Sequence, residues 1–141
     1  MNFIALPKTA IPTIDKSDVI KGHNWALISI DTHADWPELP ESVIQSDQFK
    51  GVLKLHFADI NRPLLTYILF DDDHAKQILE FYNKIKNDIT LLVVHCQAAI
   101  SRSPAVCAAL SKIEGQSDEY FFNTAHPNSL VYRKLLEVNE R

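Results

Sequence analysis

Apolar positions along the chain fall into two patterns. Four short runs, Asn2 to Leu6, Trp25 to Ile30, Val52 to Phe57 and Thr90 to His95, are dense in Ile, Leu, Val and aromatic residues and predict β-strands. The last, ITLLVVH, is apolar almost without interruption, as expected of a parallel strand covered on both faces. Between and after the runs the period lengthens. Ile78, Phe81, Tyr82 and Ile85 recur at helical spacing, with Lys76, Glu80, Lys84 and Lys86 mostly on the other side and Asp71, Asp72 and Asp73 at the start, where acidic groups suit the macrodipole. SPAVCAALSKIEG predicts a helix entered at Pro104 and stopped at Gly115. A short helix from Asp118 to Thr124 and a last one from Ser129 to Glu140 complete the pattern. Strands alternating with helices predict an α/β architecture: a mainly parallel central sheet of about four or five strands flanked by helices.

Composition narrows this little further. The 141 residues contain no repeat or linker-like tract, and the expectation is one domain over 1–141. Hydrophobic residues make up 46% and charged residues 23%, a globular balance. A net charge of -4 argues against nucleic acid or an anionic membrane as partner, so any anion must be gripped locally. No apolar run approaches a membrane span and the N-terminus does not read as a signal peptide, so a cytoplasmic protein is expected. Cys96 and Cys107 then read as reduced thiols, too few for a disulfide framework and without zinc-site spacing.

The chemistry concentrates in LLVVHCQAAISRSPAVCAAL. Cys96 and Arg102 stand six positions apart across a loop joining a buried strand to a helix. Backbone N–H groups of such a loop converge on an anion, and the helix N-terminus adds positive potential. The field that holds a phosphate dianion also favours a cysteine thiolate. A guanidinium at Arg102 offers two parallel hydrogen bonds to phosphoryl oxygens. Ser101 and Ser103 supply hydroxyls, and Ser103 is placed to stabilise the thiolate when it leaves.

HCQAAISRS resembles the phosphate-binding signature of the protein-tyrosine and dual-specificity phosphatases: His-Cys, five residues, Arg, then Ser or Thr. The segment from about Gly51 onward is similar to a group of small bacterial proteins predicted to be tyrosine phosphatases, whereas the first fifty residues resemble the family only in outline. The resemblance implies a phosphatase-like fold and a metal-free, cofactor-free hydrolysis of phosphomonoesters. In it Cys96 is the nucleophile that becomes phosphorylated, His95 tunes it through hydrogen bonds, Arg102 binds phosphate and Ser103 assists the second step. Gln97, Ala98, Ala99, Ile100 and Ser101 would line the phosphate with Arg102. Lipid and polynucleotide phosphatases of this fold often carry lysines in the loop, so the uncharged Gln97 to Ile100 favour a phosphoprotein or a small phosphoester. One departure stands out: the family usually has Gly three residues after the nucleophile, where this chain has Ala99, and a Cβ there strains the loop if the backbone is left-handed.

The family also needs an Asp on a separate loop as general acid. Asp59, in HFADINRP directly after a strand, is the expected one, since a loop at the carboxyl end of a parallel strand faces the crevice of Cys96. Its plain alternative is a loop carboxylate paired with Arg62. Asp71 to Asp73 read better as helix-start residues. Trp36-Pro37-Glu38, which resembles the Trp-Pro-Asp of larger tyrosine phosphatases, precedes the strand rather than following it and reads as coincidence. Cys107 reads as a core residue. Two rival functions remain: a phosphate-binding module made inactive by Ala99, and a redox or arsenate-reducing enzyme pairing Cys96 with Cys107.

Overall fold

The computed structural model describes residues 1–141. Four strands form one sheet: β1 (Asn2–Pro7), β2 (Trp25–Asp31), β3 (Phe49–His56) and β4 (Leu91–Cys96). The order is β1-β4-β2-β3 and every pairing is parallel. The two central strands, β2 and β4, are buried along their whole length, which explains their near-continuous apolar sequence.

β3 is an edge strand with alternating burial, and it starts three residues earlier than its apolar run predicts. The reason is a register shift opposite Trp25 and Leu27, where Lys50 and Gly51 stand against Ala26 alone. Gly51 takes φ +147 there, a conformation that side-chain-bearing residues rarely adopt. The strand also ends at His56, and Phe57 leaves the ladder to direct its carbonyl elsewhere.

Five helices complete the chain: α1 (Glu41–Ile44), α2 (Asp72–Ile85), α3 (Arg102–Ile113), α4 (Glu119–Thr124) and α5 (Ser129–Asn139). Asp71 caps α2 reciprocally: its carboxylate accepts the His74 N–H at 3.0 Å and its own N–H donates to His74 Nδ1 at 3.0 Å. The acidic run is therefore a helix start, with Asp72 held by Lys134 and Arg141 at the far side. Gly115, at φ +76, closes α3.

The helices divide unequally over the sheet. α2, α3 and α5 cover one face with a core of 25 buried residues, including Ile28, Leu55, Ile78, Val94, Ala105 and Leu135. The other face carries seven, Ile11, Ile14, Trp25, Leu27, Val43, Leu91 and Val93, roofed by α1 and by three single 3₁₀ turns between Lys8 and Ile20 that the apolar pattern does not announce. No helix is long and apolar enough to cross a membrane. Because all four strands run the same way, the residues that follow Pro7, Asp31, His56 and Cys96 emerge along one edge of the sheet, where ligand sites of parallel sheets form.

Candidate active site

The segment Gln97 to Ser101 turns between β4 and α3 with its polarity sorted. The carbonyls of Gln97, Ile100 and Ser101 face outward and accept N–H groups of Lys8 (3.1 Å), His126 (2.8 Å) and Asn128 (3.0 Å). The N–H groups of Gln97, Ala98, Ala99, Ile100 and Ser101 donate to no other backbone group. Amide donors left without backbone acceptors at a helix start are the groups from which an anion cradle is built. Cys96 enters this cradle from the strand, 3% exposed, and its Sγ lies 3.1 Å from Ser103 Oγ. Either atom of that pair can carry the proton, so Ser103 is placed to donate to a thiolate.

Ala99 adopts φ +58, the left-handed conformation that a Cβ disfavours. A Cβ-bearing residue in this conformation carries a backbone cost of about 1–2 kcal/mol. Ala99→Gly is accordingly expected to stabilise the fold by about 1 kcal/mol in chemical denaturation and to keep or raise phosphate affinity. A sharp loss of affinity in that variant would show that the loop is adapted to the methyl group.

Arg102 opens α3 and is almost fully buried, with its Nη1 donating to Thr32 Oγ1 and to the Phe57 carbonyl, both at 2.9 Å. These two bonds come from the loops after β2 and β3 and fix the guanidinium while leaving its other donors available. Thr32 is invisible to motif reading. Its only sequence signal is its place directly after a buried strand.

His95, fully buried, is bonded on both ring nitrogens: Nε2 to Ser29 Oγ of the neighbouring strand, and Nδ1 to the Cys96 carbonyl at 3.3 Å. It touches the backbone of Cys96 through that bond, and a carbonyl can only accept, so Nδ1 carries the hydrogen and Nε2 accepts from Ser29. Burial pushes this imidazole below its ordinary value, more than the Cys96 carbonyl raises it. The unfolded chain then binds more protons than the folded one, so this contribution to stability is full above about pH 6.5 and is lost as pH falls toward the lower folded-state value. In thermal melts between pH 7.5 and 5, His95→Gln should show a shallower acid-side decline than the parent.

Asp59 lies after β3 and meets the cradle from the opposite side. Its Oδ1 accepts Ser101 Oγ at 2.7 Å and Asn128 Nδ2 at 2.9 Å. No ion pair links it to Arg62; its partners are Ser101 and Asn128 instead. The excursion that carries it is closed at its base by Ala58 N–H on the Ile68 carbonyl (2.8 Å) and by Phe57 against Phe70, ring centres 4.8 Å apart. Asn128 ties three parts together. It caps α5 through Leu130 and Val131 N–H, bonds Asp59 and the Ile60 carbonyl, and holds the Ser101 carbonyl with its own N–H. In the sequence Asn128 stands directly before the last predicted helix, with nothing to link it to Asp59.

On the Gln97 side stands an ion cluster that the sequence does not single out. Lys8 Nζ lies 3.0 Å from Asp31 and 3.4 Å from Asp35. Burial opposes the charge of Asp31, but the N–H groups of Asp35 and His33 and the Lys8 ammonium outweigh it and hold the carboxyl below its usual range. Trp36, Pro37 and Glu38 line a different cleft, over Leu27, Ser29 and Val52, where the Trp36 indole donates to the Leu55 carbonyl at 3.0 Å. Cys107 is fully enclosed in α3, and burial pushes its thiol far up, which suits a core residue better than a resolving thiol.

No family model matches the chain, and no curated protein sequence matches it. Solved structures do. The chain is similar to the human tyrosine phosphatase-like serine/threonine/tyrosine-interacting protein, at 20% identity over 95% of this chain and 88% of that one, with a TM-score of 0.61. It is similar to a mouse putative dual specificity phosphatase solved with zinc tungstate, at 16% identity over 98% and 82%, TM-score 0.63. Human DUSP28 gives 18% identity over 98% and 90%, TM-score 0.61. The likeness therefore reaches through the first fifty residues as well.

Proposed function

We propose that this chain, which has the fold of the tyrosine and dual-specificity phosphatases, is a phosphomonoester hydrolase working through a cysteinyl-phosphate. The observation that carries the reading is the loop after Cys96, whose five N–H groups donate to no backbone acceptor while three of its carbonyls are bonded elsewhere, with Ser103 Oγ 3.1 Å from the Cys96 sulfur. Cys96 attacks phosphorus, the S–P bond forms and the O–P bond to the leaving group breaks, with Asp59 giving that oxygen its proton. Arg102 and the loop amides hold the three equatorial oxygens throughout. Water, deprotonated by Asp59, then attacks phosphorus, and the thiolate departs stabilised by the Ser103 hydroxyl.

A phosphate binder without turnover would share this loop, with Ala99 left-handed, and differs from the hydrolase in turnover alone. A thiol redox enzyme needs a second reactive cysteine, and Cys107 is enclosed. The test is hydrolysis of an aryl phosphate by the reduced protein, with vanadate as competitive inhibitor and acid-quenched trapping of phosphate on Cys96. Turnover that ignores vanadate, or no turnover at all, would overturn the reading.

A further inference from the structure

We propose that Arg62 makes the cleft beside Asp59 a recognition site for a second anionic group, so that the favoured substrate is a phosphorylated residue with an acidic neighbour. This rests on the phosphatase reading and narrows it to a substrate class.

The two sides of the cradle differ in electrical character. On the Gln97 side, Lys8 is already neutralised by Asp31 and Asp35. On the Ser101 side, a cleft of about 480 Å³ opens between the loop after Asp59 and the turn before α5, lined by Asn61, Arg62, Ser101, His126 and Ser129 among others. Its single carboxylate, Asp59, is engaged by Ser101 and Asn128. Arg62 has no carboxylate within 4.0 Å and no hydrogen bond, in a chain with 18 acidic against 14 basic side chains. An unneutralised guanidinium facing a polar cleft raises the local positive potential, and its planar fork matches a carboxylate or phosphate. The His126 ring adds a donor in either tautomer, and Asn61 and Ser129 add neutral ones.

Ser101 belongs both to the loop that follows Cys96 and to the lining of this cleft, which puts Arg62 beside the loop. The cleft volume exceeds what one anion fills, which favours a neighbouring residue of a peptide over a free ion. The shared chemistry, a phosphomonoester with a second anion, also describes a small bisphosphate.

The experiment uses the Cys96→Ser protein as a non-hydrolysing trap and measures affinity for three fluorescent phosphotyrosine peptides that differ only in flanking Glu, Ala or Lys. The Glu peptide should bind at least about fivefold tighter than the Lys peptide, with the difference falling as salt rises. Arg62→Ala should reduce that ratio to near one, and Arg62→Lys should restore part of it. No preference, or a preference that survives Arg62→Ala, overturns the inference. A small bisphosphate and its monophosphate compete in a parallel arm, and an Arg62-dependent preference found only there overturns the peptide assignment. Wild-type hydrolysis of aryl phosphate is measured separately. If the wild type turns over but shows no flank preference, this inference alone fails; if the trap shows the preference but the wild type does not turn over, catalysis alone fails.

Discussion

The Cys96→Ser protein is expected to lose at least three orders of magnitude in aryl-phosphate hydrolysis, roughly 4 kcal/mol of barrier lowering, while still binding inorganic phosphate. The substitution exchanges sulfur for oxygen, and a serine Oγ can keep the hydrogen bond that Sγ makes with Ser103 Oγ. The five loop amides are held by the carbonyl bonds to Lys8, His126 and Asn128, and the Arg102 guanidinium by Thr32 and Phe57. The anion cradle therefore survives. What disappears is the sulfur nucleophile, since a serine hydroxyl is a far weaker one without a base to activate it. Initial rates and calorimetric phosphate binding on the same preparations check both halves. Undiminished turnover removes Cys96 from the mechanism, and loss of phosphate binding with an intact fold removes the cradle.

Asp59→Asn is expected to slow phosphotyrosine or alkyl phosphate hydrolysis by about 10²–10⁴, and an activated aryl phosphate far less. General acid catalysis matters in proportion to the basicity of the leaving oxygen, so selectivity among substrates separates a proton donor from a structural carboxylate. The substitution suits this site because Asp59 Oδ1 accepts the bonds from Ser101 and Asn128, a role that an amide oxygen can keep. Only the second oxygen, which makes no bond in the protein, changes its chemistry. Glu38→Gln and substitutions at Asp71, Asp72 and Asp73 serve as controls, since Glu38 lines another cleft and the three aspartates start α2. Equal slowing of all substrates by Asp59→Asn, with selective slowing in a control, means that the acid lies elsewhere.

What the sequence by itself determined is what local order controls. The uninterrupted ITLLVVH requires a strand covered on both faces, and β4 is one of the two central strands. The helical stripe of Ile78, Tyr82 and Ile85 defines α2, and the spacing from Cys96 to Arg102 places both at the ends of one strand-to-helix loop. Gly in the family and Ala99 here already located the strained residue, because a left-handed position is a property of a short segment. Tertiary structure decided the rest, through partners far apart along the chain. Thr32 meets Arg102 across 70 positions, Ser29 meets His95 across 66, and Asn128 meets Asp59 across 69. None of these pairs has a periodicity or spacing to betray it, since each exists only because the strand order β1-β4-β2-β3 sets the ends of separate strands side by side. The pairing of Asp59 with Arg62, reasonable for near neighbours, fails for the same reason: the fold offered Asp59 two better-placed donors from α5 and the phosphate loop, and left Arg62 facing the cleft.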